Sequence, residues 1–170
     1  MFSITLQTIL LTCFLIYIIP GKSQVCLTFI DPCPTSWHLW GNSCYIITET
    51  IVPWASARGE CTKLGGALVA PRTVQENDFI GALIPAGKNA WIDCVLDGSD
   101  VWVCKDDGEE VQLRNWDLGW SPRQPDEGRQ RCAVIQREWS FQYLWHDHCC
   151  NIDQRSACKK PAGPRYIFDE

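Results

Sequence analysis

Ten cysteines behind an apolar leader constrain this chain more than any other feature. The leader, MFSITLQTILLTCFLIYIIPGKS, is apolar from about Ile4 to Ile19 and breaks at Pro20, with the small residues Gly21 and Ser23 where a signal peptidase reads. Residues 1–23 therefore read as a secretory signal cleaved after Ser23. No Lys or Arg precedes the apolar run, which keeps an uncleaved single-span anchor as the competing reading, although the run is short for a span of about 20 residues. Of the eleven cysteines, Cys13 leaves with the signal, and Cys26, Cys33, Cys44, Cys61, Cys94, Cys104, Cys132, Cys149, Cys150 and Cys158 remain. An even number in an exported chain points to a disulfide framework rather than to reduced thiols or zinc. The expected location is extracellular, with no membrane span once the signal is gone.

The remaining length, Gln24 to Glu170, suits one compact domain with a real core. No second apolar run, repeat or low-complexity tract interrupts it. The formal charge of −5 becomes about −6 when Lys22 is removed, and no basic patch carries interleaved aromatics. Nucleic acid is excluded as an expected partner. Nine tryptophans suggest a core built on large rings, some of them near a binding surface.

From Trp54, the positions Ala57, Arg58, Cys61 and Leu64 recur on one helical face, with Pro53 suited to the first turn and Gly65-Gly66 ending the helix. Thr73-x-x-Glu76 has capping-box spacing and opens a second helix through Phe79, Ile80 and Leu83 to Pro85. Later segments are strand-like: AWIDCVL, VWVCK, RCAVIQ and YLWHD, separated by the turn sequences DGSD, DDGEE and SPRQPDEG. Two early helices and many late strands predict an α+β domain with antiparallel pairing. The stretch from about Asp106 to Gln130 is too irregular for regular structure, and long ordered loops of this kind are usually functional. Cys94 and Cys104 flank the turn-bearing VLDGSDVWV and are placed to bond across adjacent strands.

Taken in order, several landmarks resemble the C-type lectin domain family. They are Cys33 and Cys44 around PTSWHLWGNS, the helix bearing Cys61, LGGALVAPRTVQEN, WIDC at Trp91, and Trp102 with DDG at Asp106. WSPRQPD and the closing WHDHCC with Cys158 complete the set. The resemblance covers about Cys33 to Lys160, nearly the whole mature chain. It implies the long form of that fold: two helices, two small antiparallel sheets and a long loop. Residues 24–32 would be an N-terminal arm, 33–160 the domain, and 161–170 an extended tail, as Pro161, Gly163 and Pro164 suggest. It also implies the pairs Cys33–Cys44, Cys61–Cys158 and Cys132–Cys150; the second closes a loop near 100 residues, worth about 4–5 kcal/mol in the chain-entropy treatment. Cys26 and Cys149 are left over. Either they bond to each other, or Cys26 forms an interchain bond that would make a disulfide-linked homodimer.

In sugar-binding members of that family, loop and strand oxygens hold one calcium ion, and the same side chains hydrogen-bond two adjacent sugar hydroxyls. A hard cation takes six to eight oxygens, and vicinal hydroxyls complete that shell while donating to carboxylates and accepting from amides. The resemblance places Gln124 and Asp126 in the QPD positions, flanking a proline that is cis in the family, and Asp147 in the final aspartate position. Gln before Asp resembles the galactose-type order. Two positions depart. Gln130 stands where the family has glutamate, and His146 stands where it has asparagine. One anionic ligand is thereby lost, so calcium affinity should fall, and the imidazole nitrogen suits zinc or copper better than calcium. A shortened loop after Asp126 could bring Glu127 into the lost glutamate's place. No aromatic residue lies between Asp126 and Cys132, so Trp139, Phe141 or Tyr143 would have to present a ring to the sugar.

The candidate metal ligands are thus Gln124, Asp126, Glu127, Gln130, His146 and Asp147, and the candidate sugar contacts Gln124, Asp126, Trp139, His146 and Asp147. His146, His148, Cys149 and Cys150 are crowded, but Cys150 is needed for a disulfide, which argues against zinc. Ser121, His146 and Asp147 make a poor triad, because neighbours in a strand point to opposite faces and there is no nucleophile elbow. An enzyme is not expected. The expected function is recognition of galactose-type glycans through a weakened calcium site. The alternative is calcium-independent binding of protein or matrix partners through the same surface, with QPD kept only as loop geometry.

Overall fold

The computed structural model describes residues 26–29, 31–119, 123–126, 128, 130–137, 142–164 and 166–169, and of 26–29 and 166–169 the backbone only. In chain order the elements are β1 (Cys26–Phe29), β2 (His38–Trp40), β3 (Ser43–Ile47), α1 (Trp54–Lys63), β4 (Ala67–Leu68), α2 (Val74–Leu83) and β5 (Asn89–Leu96). They continue with β6 (Trp102–Asp106), β7 (Glu109–Glu110), β8 (Cys132–Arg137), β9 (Tyr143–His148), β10 (Arg155–Pro161) and β11 (Tyr166–Asp169). No helix among the described residues is long and apolar enough to cross a membrane.

Local chemistry explains both helices. Pro53 is the N-cap of α1, with extended backbone. At the other end Gly65 takes φ 74°, its N–H donates to Thr62 O, and the Gly66 N–H donates to Cys61 O. This pair of bonds closes a helix with a glycine in the left-handed region. In α2, Thr73 Oγ1 accepts the Glu76 N–H at 3.1 Å, as the capping spacing predicts. The Glu76 carboxylate does not return to Thr73. It accepts the Arg72 N–H at 2.8 Å and the Tyr45 hydroxyl at 2.6 Å, tying α2 to β3. Burial first, and then this bond to Glu76, push the Tyr45 phenol above its usual range.

The strands read from the sequence all form, but the two expected sheets are joined. The ladder runs β2-β3-β10-β5-β6-β7, with β4 on β10, β8 on β5 and β9 on β8. The join is a short parallel pairing, Arg155 with Ala90 and Ser156 with Trp91. A separate two-stranded sheet pairs β1 with β11, Cys26 opposite Asp169. The tail beyond Pro161 therefore adopts strand geometry against the N-terminal arm rather than standing as a lone extended segment.

Among the described residues four disulfides are formed: Cys33–Cys44, Cys61–Cys158, Cys94–Cys104 and Cys132–Cys150. Cys94 and Cys104 are direct cross-strand partners of β5 and β6. Cys149 carries a free, half-buried thiol, so it is not bonded to Cys26. One core packs Ile80, Ile84, Ile92, Ile135 and Trp145 between α2 and the strands. A second packs Ala57, Cys61, Trp91 and Val134 under α1.

An ionic cluster links β6, β10 and the start of α2. Asp106, 2% exposed, accepts from Arg72 Nε at 2.6 Å and Lys159 Nζ at 2.7 Å. Lys159 Nζ is also 3.5 Å from the Glu76 carboxylate. Removing one partner of such a group strands the others. Asp106→Ala should cost about 3 kcal/mol of stability, measured by urea unfolding. Gly81 of α2 gives a second test. A Cβ there would fall 2.2 to 2.5 Å from the Tyr143 ring and its Cβ, so Gly81→Ala should lower the melting temperature, a loss of about 1–3 kcal/mol, although alanine favours a free helix by about 1 kcal/mol.

Candidate functional site

The long loop reaches its place by docking along β9. In β9, Trp145 is fully buried; its Nε1 donates to Asn77 Oδ1 of α2 at 2.7 Å, and its ring meets Trp116 edge-on at 5.7 Å. Its backbone does as much. The Trp145 N–H donates to Asn115 O at 2.8 Å, and Trp145 O accepts the Asp117 N–H at 3.0 Å. Asp117 O then accepts the Gln124 N–H at 2.9 Å. The loop thus returns to β9 through Asp117, and the Gln124–Pro125 peptide, which is cis, stands against the strand that bears Asp147.

Four of the predicted ligands form one hydrogen-bonded chain. Gln124 Oε1 accepts the Asp147 N–H at 3.3 Å. Asp147 Oδ1 accepts the Asp126 N–H at 3.1 Å. Asp126 Oδ1 accepts from Gln130 Nε2 at 3.0 Å. Gln124 and Asp147 are buried, at 6% and 2% exposure, whereas Asp126 and Gln130 are half-exposed. Solvent therefore meets the cluster on the Asp126–Gln130 side.

His146 belongs to a different contact. Its Nε2 lies 3.3 Å from Asp117 Oδ2, and both side chains are nearly buried. Its described contact is thus with the loop's pivot. Its neighbour His148 meets Trp91 edge-on. Burial, and then the proximity of His146, hold the His148 imidazole below its usual pKa, with Asp126 opposing.

These residues fit calcium in kind but weakly in charge. The oxygens of Gln124, Asp126 and Asp147 suit a hard cation, and rotation of the Gln130 amide would present its oxygen. Only two of the four side chains are anionic, and each is already engaged by a neighbour. Among the described residues no group of three or more His, Cys, Asp or Glu side chains is arranged to hold a metal ion. Glu127, Trp139 and Phe141 lie outside the described residues. Tyr143 packs over Gly81 of α2, four positions along β9 from Asp147.

Sequence reasoning missed Asn77, Asn115 and Asp117. Their roles arise where α2 and the loop meet β9, and no spacing along the chain announces that meeting.

Comparison with known proteins fits this geometry. The Lectin C-type domain profile matches residues 50–160. Ladderlectin of Oncorhynchus mykiss is 31% identical over 127 residues, covering 71% of this chain and 63% of that protein. The galactose-specific lectin nattectin of Thalassophryne nattereri is 29% identical over 137 residues, covering 75% and 80%. Other relatives are longer, and the chain spans 53–60% of the length of C-type lectin domain family 4 and 6 members of mouse and human. Among solved structures, the cow CD23 carbohydrate-recognition domain superposes with a TM-score of 0.66 at 24% identity, covering 79% of this chain and all of that one. A calcium-independent type II antifreeze protein superposes with 0.63 at 24%, covering 76% and 95%. The chain belongs to the C-type lectin domain family, a non-enzymatic family of domains.

Proposed function

We propose that this chain is an extracellular glycan-binding lectin of galactose type whose sugar site is the Gln124–Asp126–Gln130–Asp147 cluster, with calcium held weakly. The observation that carries the reading is the hydrogen-bonded chain that links Gln130 to Asp126, Asp126 to Asp147 and Asp147 to Gln124. Asp126 supplies carboxylate acceptors, and Gln124 and Gln130 supply amide groups, at a half-exposed edge. Calcium, when bound, would supply a charged centre that two vicinal hydroxyls complete, with Gln124, Asp126 and Asp147 as its protein ligands and Gln130 as a fourth. The name of the relative nattectin, a galactose-specific lectin, and the order Gln then Asp support the galactose preference. His146, paired with Asp117, acts by positioning the strand rather than as a direct ligand, and Trp139 remains the proposed stacking ring. Single lectin sites are weak, so avidity requires several copies, with Cys26 the proposed link.

A second reading, calcium-independent binding through the same surface, is favoured by one specific contact. The Gln130–Asp126 hydrogen bond closes the cluster without a cation. A glutamate there would repel Asp126 until a cation neutralised both.

Calorimetric calcium titration of the disulfide-intact protein, with and without galactose, separates the two readings. A working site gives calcium binding that tightens with galactose and is lost in Asp126→Ala; no heat up to about 10 mM calcium, beyond the weakest extracellular sites, would leave only the second reading. Gln130→Glu should strengthen calcium binding about tenfold, equivalent to ~1.4 kcal/mol. The same variant should melt lower than the parent in chelator and recover when calcium is added, because the amide donor has become a like charge.

A further inference from the structure

A groove of about 340 Å³ lies between α2 and the start of β9, lined by Val74, Asp78, Asn115, Gln142, Tyr143 and Leu144. Its volume falls at the lower end of the range for small-ligand sites. We propose that it is a second, calcium-independent subsite for a neutral sugar residue of the glycan; this rests on the glycan reading given above.

Two independent features indicate a preset site. Val74, Asp78 and Gly81 recur at i, i+4 and i+7 and so share one face of α2. Tyr143 lies across that face, close enough to Gly81 that no other residue fits there without displacing the ring. Glycine inside a helix costs about 1 kcal/mol relative to alanine, and what it admits here is an aromatic surface held in one position. The floor is fixed as well. Tyr143 O accepts from Asn77 Nδ2 at 2.7 Å and from Asn115 Nδ2 at 3.0 Å.

The chemistry left over selects the ligand class. Among the described residues, no hydrogen-bond partner occupies Asp78 Oδ2, Asn115 Oδ1, the Gln142 side-chain amide or the Tyr143 hydroxyl. Acceptors and donors therefore surround a ring and two aliphatic side chains. A hydroxyl both donates and accepts, and the C–H face of a sugar packs on an aromatic ring, so a neutral polyhydroxylated ligand uses every group present. The lining carries one carboxylate and no cation. An acidic sugar or a phosphate would meet repulsion without compensation, and one carboxylate is too few to recruit calcium.

Asp147 lies four positions along β9 from Tyr143, about 13 Å at strand rise. The two sites are distinct and can be tested apart. The probe is lactose, titrated into the ¹⁵N-labelled mature protein in chelator and followed by amide shifts, with free N-acetylneuraminic acid as the anionic control. The expected result is saturable lactose shifts at the amides of Val74 to Asp78 and Gln142 to Leu144, equal in the parent and in Asp126→Ala. Binding should weaken at least about fivefold in the surface variant Asp78→Ala/Gln142→Ala, as loss of about 1 kcal/mol of hydrogen bonding implies. No lactose shift at these amides up to about 50 mM, weaker than the usual millimolar range, would overturn the proposal, as would equal groove shifts with a ligand that presents only the sialyl group. Calcium-dependent galactose binding that persists in the Asp78→Ala/Gln142→Ala variant would show that the Asp126 site stands whatever the groove does.

Discussion

The indole of Trp145, buried and hydrogen-bonded through Nε1 to Asn77, is the contact on which the placement of the long loop depends. It joins α2 to β9. Through its own backbone N–H and C=O it also receives Asn115 and Asp117 of the long loop. A loop with little regular structure is thereby given one straight template. Asp117 passes the constraint on, taking the Gln124 N–H with its carbonyl and meeting His146 with its carboxylate. The arrangement of Gln124, Asp126 and Asp147 is a downstream product of that docking. An ordered loop can thus persist through packing and hydrogen bonding, where a bare cluster of carboxylates would need a cation to hold it.

The rest of the framework resists the same kind of local opening. The Cys61–Cys158 bridge ties α1 to β10 across 97 positions, and a cross-link over so long a loop removes much of the unfolded chain's freedom. The Asp106, Lys159, Arg72 and Glu76 cluster adds direction. Carboxylates that burial would leave without solvent are matched by cations at the start of α2 and on β10. Together these fix the two helices against one joined sheet, and the loop residues docked on β9 inherit that rigidity.

How much of this the sequence revealed depended on the range of the interaction. Thr73-x-x-Glu76 marked the start of α2, and Gly65-Gly66 the end of α1, because both signals act within a turn of the helix. Short apolar segments between turn sequences marked β5, β6, β8 and β9. Cys94 and Cys104 were readable as cross-strand partners because a short hairpin sets their register. The joining of the two sheets through β10 and β5 was not readable, since two residues of parallel pairing leave no periodic trace. At the site, QPD and the aspartate of WHD marked three residues of the cluster. The fate of His146 could not be seen, because its partner Asp117 is distant in sequence and reaches it only when the loop folds back. Glu76 illustrates the same limit. Its place in the capping motif was legible, but its bond to Tyr45 was not.

The pairing of β1 with β11 has a consequence of a different kind. Cys26 stands opposite Asp169, so whatever precedes the one and whatever follows the other leave the domain from a single point. A partner, tether or label attached on either side would occupy the same neighbourhood and compete for it. The domain is, in path, almost a closed ring: a few residues joining Asp169 to Cys26 would complete the circle, and the chain could then be opened elsewhere.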